Sequence, residues 1–313
     1  MKTTKNAFTL KSVSSLLIAF VLILGSCSKT DTPVSDNQLN VTAESSEDSY
    51  HSDTDDLSNS ASAQSDATLT GRTEGWVDNR ICSTTKITLK KLVNTNTDTL
   101  TIDFGTAGCT DAKGNTRSGK IIVIFTPGKR LYPGSSNTVT FADFKINGVK
   151  VEGTRTVTNV SPGTSLDGDI TYEITLIGGK LTFPDGTTAT RETHHFRQWF
   201  RNGTPLVLSD DQQKILASFT TPNSTSSTST ASGTNRKGYS YQMQVTKDIV
   251  YKVSCLESKI FIPVSGTKTL TVTKGTNTAQ ITVDYGDGTC DKTVTITVNG
   301  KTETVTVSRD DNG

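Results

Sequence analysis

Residues 293–307 read Thr-Val-Thr-Ile-Thr-Val, Asn-Gly, Lys-Thr-Glu-Thr-Val-Thr-Val, a pattern that leaves little choice but an antiparallel hairpin. Alternation of threonine with apolar side chains, broken outside the turn only at Lys301 and Glu303, matches the two-residue period of a strand. Asn299-Gly300 suits the type I′ turn, whose twist agrees with that of the flanking strands. The turn sets Thr297 against Thr302, Thr295 against Thr304 and Thr293 against Thr306 on one face. Val294, Ile296, Val298, Val305 and Val307 share the other. A slip of one residue would turn the valines to water, so the register is well specified.

The same grammar runs through most of the chain. Asn147-Gly148 joins TFADFKI to VKVEGTRTV, and Pro184-Asp185-Gly186 marks another hairpin. Further strands are expected at 86–93, 98–104, 120–125, 170–176, 180–183, 188–200, 239–245, 249–254, 269–273 and 280–285. Threonine supplies 56 of the 313 residues and, with Val and Ile, favours strands over helices. Residues 209–217 (SDDQQKILA) form the only helical candidate, capped by Ser209, and 220–234 reads as a Ser/Thr loop. The expected fold is all-β, with antiparallel sheets in sandwich-like lobes that follow a disordered N-terminal tether. The expected boundaries are an N-terminal lobe at 73–205, an inserted helix and loop at 206–235 and a C-terminal lobe at 236–310.

The first 26 residues read as a signal peptide: Lys2, Lys5 and Lys11 precede the apolar run 13–24, too short for a membrane span. The run closes on Leu24-Gly25-Ser26-Cys27, an aliphatic residue and two small ones before a cysteine, which resembles a bacterial lipobox with Cys27 as the lipidated first residue. The implied location is the cell envelope, on an outer-membrane lipid anchor, with a surface-facing and a periplasmic orientation both open. Residues 27–72 are rich in Ser, Asp and Thr and lack a hydrophobic period, so they are expected to be a flexible tether. About 40 such residues would reach roughly 35 Å.

Lipidation of Cys27 leaves Cys82, Cys109, Cys255 and Cys290. An even count in an exported chain points to disulfides, with three connectivities open; no CxxC pair or nearby histidine favours metal. An internal echo narrows the pairing. Thr101-Ile102-Asp103-Phe104-Gly105 with Cys109 repeats as Thr282-Val283-Asp284-Tyr285-Gly286 with Cys290, and each copy has a cysteine upstream. The simplest reading is two strand–turn units stapled as Cys82–Cys109 and Cys255–Cys290. Each closed loop would contribute roughly 3–4 kcal/mol in the chain-entropy model.

The runs TIDFGTAGCTDAKGNTRSGKIIVIFT, NGVKVEGTRTVTN, GGKLTFPDGTT, ASGTNRKGYSYQMQVTKDIV and DYGDGTCDKTVTITVNGK resemble a family of surface lipoproteins from Bacteroidota-type Gram-negative bacteria. The resemblance extends from about residue 75 to 307, with the insertion at 209–217 as a departure. It implies an exported, lipidated, all-β protein and supplies no catalytic residues.

The strongest candidate for a ligand face is the strand 191–201, where Arg191, His195, Arg197 and Trp199 alternate onto one side. Arginine and aromatic groups together suit stacking on a sugar ring or peptide. His194 and His195 point to opposite faces and make a poor metal pair. Asp284, Asp287 and Asp291 lack the spacing of a calcium loop and suit turns instead. No GxSxG, HExxH or Walker loop occurs, so no catalytic residue, metal or cofactor is assigned. A formal net charge of +1 offers no footprint for nucleic acid. The expected partners are the lipid bilayer, through acylated Cys27, and a surface glycan or another envelope protein. The function these features favour is a non-enzymatic structural or adhesive surface role, with a glycan-binding or glycan-processing lipoprotein as the alternative.

Overall fold

A computed structural model describes residues 33–306, apart from 70–79, 92–96, 112–113, 126–131, 164–168, 202–207, 222–225, 253, 258–259 and 261. The N-terminal part is one long helix, α1 (Pro33–Leu69). Eight strands follow: β1 (Lys86–Lys91), β2 (Asp98–Asp103), β3 (Cys109–Thr110), β4 (Thr116–Phe125), β5 (Ser136–Ile146), β6 (Val149–Asn159), β7 (Ile170–Thr182) and β8 (Thr188–Arg201). Then come β9 (Leu208–Leu216), β10 (Ser218–Thr220), β11 (Ser226–Thr228), β12 (Thr230–Thr234) and β13 (Ser240–Tyr251). A single turn of helix, α2 (Ser254–Glu257), precedes β14 (Ser265–Lys274), β15 (Asn277–Asp287), β16 (Thr293–Val298) and β17 (Lys301–Thr306).

The protein is all-β apart from these helices, and its strands form one 15-stranded sheet in the order β1-β2-β4-β5-β6-β7-β8-β12-β13-β14-β15-β16-β17, with β3 beside β4. Every described pairing is antiparallel, and most neighbours in space are neighbours in sequence. The last hairpin has the threonine register read from its turn, with Thr297 opposite Thr302 and Thr293 opposite Thr306. Asn299 and Gly300 have φ of 51° and 75°, as type I′ demands.

Residues 208–216 depart from the expected helix. They form strand β9, which pairs with β8 and with β13, and Ile215 and Leu216 are buried. The helical reading failed because nothing local reports the open ladder positions at the far ends of β8 and β13, and two-sided pairing outweighs a modest helix propensity. The expected Ser/Thr loop likewise contains β11 and β12. Strand β12 fills the β8–β13 slot at its other end, opposite Thr190–His194 and Ser240–Gln244. Between the two, β10 and β11 leave the sheet as a hairpin whose Phe219 packs on Phe196, ring centroids 5.4 Å apart.

The larger correction concerns the tether. Residues 33–69 are helix, and from Asn37 to Ser58 only Leu39 is exposed among the described side chains. Those 22 residues make about six turns, so every face of the helix is covered, and the sheet does the covering. Helix α1 contacts β1, β2, β4, β5 and β16, nearly the full width of the sheet. The strands therefore curl around it, helped by bulges where β6 and β7 shift register. Gly153, with φ of 127°, sits at one bulge, where a Cβ would lie 2.9 Å from the Gly179 Cα. Residues 1–32, including the signal peptide and Cys27, lie outside the described residues.

Two main apolar clusters line the inner face. One joins Leu100, Ile121, Phe144 and Val151 to Tyr50, Leu57 and Ala61 of α1; the other joins Leu270, Ile281, Val283 and Ile296 to Val41. Disulfides Cys82–Cys109 and Cys255–Cys290 span 27 and 35 residues, with Cα atoms 6.2 and 5.3 Å apart. The internal echo is a repeated turn: Asp103 Oδ1 accepts from the Gly105 N–H and Asp284 Oδ1 from the Gly286 N–H, both at 2.9 Å. Reducing both disulfides is expected to lower the unfolding free energy by about 2–5 kcal/mol for each bond. Urea midpoints with and without reductant measure it.

Candidate functional site: a charged helix inside the sheet

The chemistry-bearing side chains of this protein converge on α1. That helix carries eight carboxylates and no Lys or Arg. Placed in the interior, such a helix needs cations from elsewhere, because an unpaired buried charge is very costly. The inward positions of distant strands supply them. Arg155 of β6 grips Asp55 through Nε and Nη2, each at 2.5 Å. Arg117 of β4 donates from Nε (3.2 Å) and Nη2 (2.8 Å) to Asp53 Oδ2 and from Nη1 to Asp111. Arg80 reaches the other Asp53 oxygen at 3.2 Å. Arg191 of β8 donates to Glu44 at 2.9 Å and to Asp48 at 2.8 Å. Lys268 of β14 donates to the second Glu44 oxygen.

Neutral groups complete the network. The Tyr241 hydroxyl donates to Glu47 Oε2 at 2.9 Å and accepts from Arg191 Nη1 at 3.2 Å. Asn235 donates to Asn40 at 2.7 Å, and Arg197 to the Ser52 hydroxyl at 3.3 Å. Arg117, Arg155 and Arg191 are the largest fully buried side chains. Forked guanidinium groups that bind carboxylates with two nitrogens fit such a setting better than point-charge ammonium groups.

Charge states follow from these contacts. Burial by itself would raise the pKa of Glu44, but Lys268 and Arg191 outweigh it and hold the group below its ordinary value. Asp48 is likewise lowered, burial being outweighed chiefly by Arg191. For Glu47 burial wins over Arg191 and the Tyr241 hydrogen bond, and the pKa rises to about 8. Burial and nearby arginines push both His51 and His195 down to about 3. Among the described residues, neither ring nitrogen of His51, nor His195 Nε2, nor Glu47 Oε1 has a hydrogen-bond partner. No group of three or more His, Cys, Asp or Glu could hold a metal ion among the described residues.

Arg191, His195, Arg197 and Trp199 do share a face of β8, but it is the inner face, and all four are buried. Trp199 meets Tyr172 edge-on with centroids 4.9 Å apart, and the Arg197 guanidinium lies 5.6 Å from the Trp199 ring. These rings do not form an open stacking platform, because Trp199 and Tyr172 are buried in a cluster with Val157, Ile170 and Ile174. His194 points the other way and contacts Glu173 at 2.7 Å. Asp284, Asp287 and Asp291 cap turns through Gly286, Thr289 and Thr293. Sequence reasoning missed the carboxylates of α1 as structural groups. The available signal was a cation in the inward phase of a strand, as in Lys268-Thr-Leu270-Thr-Val272.

No family model matches this chain, and neither the curated proteins nor the solved structures compared with it contain a match.

Removing Asp55 alone strands Arg155 in the interior. Asp55→Ala is expected to lower the unfolding free energy by about 3–5 kcal/mol, whereas Asp55→Leu with Arg155→Met recovers most of that loss. Urea titration of the three chains measures both effects. The pH response has two limbs. Glu47 binds its proton more tightly folded than unfolded, so its contribution is complete below its ordinary value of 4.5 and is lost as pH rises through about 8. His51 and His195 bind protons less tightly when folded, so their contribution is present above 6.5 and is lost as pH falls toward 3. The thermal midpoint of Glu47→Gln relative to wild type is therefore expected to rise between pH 5 and pH 8.5. A flat difference would show that Glu47 is ionised in the fold.

Proposed function

We propose that the chain is an exported envelope lipoprotein, anchored through Cys27 in the outer membrane, whose role is structural or adhesive rather than catalytic. The observation that carries this reading is the division of labour between the two faces of the sheet. Arg117, Arg155, Arg191 and Lys268 of the inner face are committed to the carboxylates of α1. The outer face is a broad hydroxyl-rich surface. Register places Thr138 opposite Thr156, Thr156 opposite Thr175 and Thr175 opposite His194. The row continues through Thr230 and Gln244 to Thr269, Thr282, Thr297 and Thr302. None of these side chains is buried. Such a row, which holds no Lys, Arg, Asp or Glu, suits contact with a neighbouring envelope component. The glycan-binding alternative is supported by the same hydroxyl row and not by Trp199.

The anchor is tested in cells: Cys27→Ala is expected to move the protein from the membrane fraction to the soluble fraction. Two or three acyl chains at ~0.8 kcal/mol per buried methylene hold firmly, so unchanged partition refutes the anchor. The adhesive role is tested with beads coated by the chain from residue 28 and laid on bacterial cell layers and on a glycan array. Thr269→Lys with Thr282→Lys is expected to reduce retention on cells, while signal confined to the array favours the glycan reading. Hydrolysis of an arrayed glycan would refute a non-enzymatic role.

A further inference from the structure

The contacts that hold α1 have an unusual distribution along the chain. Its ion pairs with Arg117, Arg155, Arg191 and Lys268 join residues 64 to 224 positions apart. The covalent route from Leu69 to Arg80 is the ten-residue stretch 70–79, which spans at most about 35 Å. The helix carries few apolar residues and has too little apolar surface to persist alone in water. The sheet, without it, would keep several buried cations with no counter-charge. Each part thus requires the other, but no contact requires that both belong to one chain. The described sheet also has an open seam, since β1 and β17 end the strand order and do not pair with each other. A helix can enter from that side without parting any ladder.

We propose that the inner face of the sheet is a binding site for an acidic helix, filled by α1 of the same chain or, on helix exchange, by α1 of a second copy. The partner is specified by chemistry on both sides: carboxylates spaced along one helix meet guanidinium groups fixed on separate strands. Exchange of an identical terminal element reproduces every contact of the monomer, so the dimer needs no new interface. The pairing that best reports whose helix is seated is Asp55 with Arg155, which is bidentate and buried.

Two full-length chains test the exchange, one with Asp55→Arg and one with Arg155→Asp, carrying different tags. Refolded alone, each opposes like charges in the interior. Refolded together, each helix finds its complement in the other chain. Co-refolding is expected to raise the soluble yield at least about tenfold over either chain alone, given the cost of an unpaired buried charge, and to give a one-to-one heterodimer by light scattering. Single-chain Asp55→Arg with Arg155→Asp serves as the control for folding with the pair reversed. A control that folds beside a mixture that does no better than its parts would overturn the proposal. A second measurement leaves the charges untouched. In a Cys27→Ser background, chains with Asn40→Cys and with Asn235→Cys are refolded as a mixture. A covalent dimer on a non-reducing gel is the expected result. Its absence, while Asn40→Cys with Asn235→Cys in one chain closes its own bond, overturns the exchange.

Discussion

The fold depends on the pairing of helix carboxylates with strand guanidinium groups in the interior. The curled sheet has a thin apolar complement with which to fill its interior, since only 32% of the residues are hydrophobic. A polar helix fills the remainder, and it is tolerated there because Asp53, Asp55, Glu44 and Asp48 each meet a cation. Buried ion pairs are poor sources of net stability compared with apolar packing. What they supply here is position. Arg155 fixes the rotation of α1 at Asp55, and Arg191 with Lys268 fixes it again at Glu44, three turns away.

Apolar contacts then divide along the helix. Val41 belongs to the cluster beneath β13 to β17, whereas Tyr50, Leu57 and Ala61 belong to the cluster beneath β1 to β8. The helix therefore ties the two ends of the sheet to a common axis. Among the described residues, strand pairing joins those ends only through β8, β9, β12 and β13. The disulfides act more locally, each securing a loop beside the repeated Asp-Phe-Gly or Asp-Tyr-Gly turn.

Much of this was legible in the residues. Asn147-Gly148 and Asn299-Gly300 gave their hairpins with the right pairing of Ile146 with Val149 and Thr297 with Thr302. The repeated cysteine spacing gave both disulfides. The shared face of Arg191, His195, Arg197 and Trp199 was also readable, because strand alternation is a local property. Which side of the sheet that face would occupy was not. Inside and outside are decided by what lies opposite, and here the opposing element is a segment whose composition reads as solvated coil. Its helicity depends on cations as far away as Lys268, and no window of sequence contains both. The strand at 208–216 was missed for a related reason, as its partners come from both sides and from both directions along the chain.

One feature of the sheet has a bearing on how such chains can lengthen. The lane between β8 and β13 is occupied by two short strands laid end to end, β12 at one end and β9 at the other, with the β10–β11 hairpin looping out between them. In the other inner strands an added residue would shift a ladder on both sides. At this junction the ladder is already interrupted, and its two pieces are registered independently by their own neighbours. The loop can therefore grow, shrink or carry a foreign sequence while the wall on either side keeps its alignment. It is the natural place for variation among descendants of this chain, and the first place to graft a reporter or an epitope.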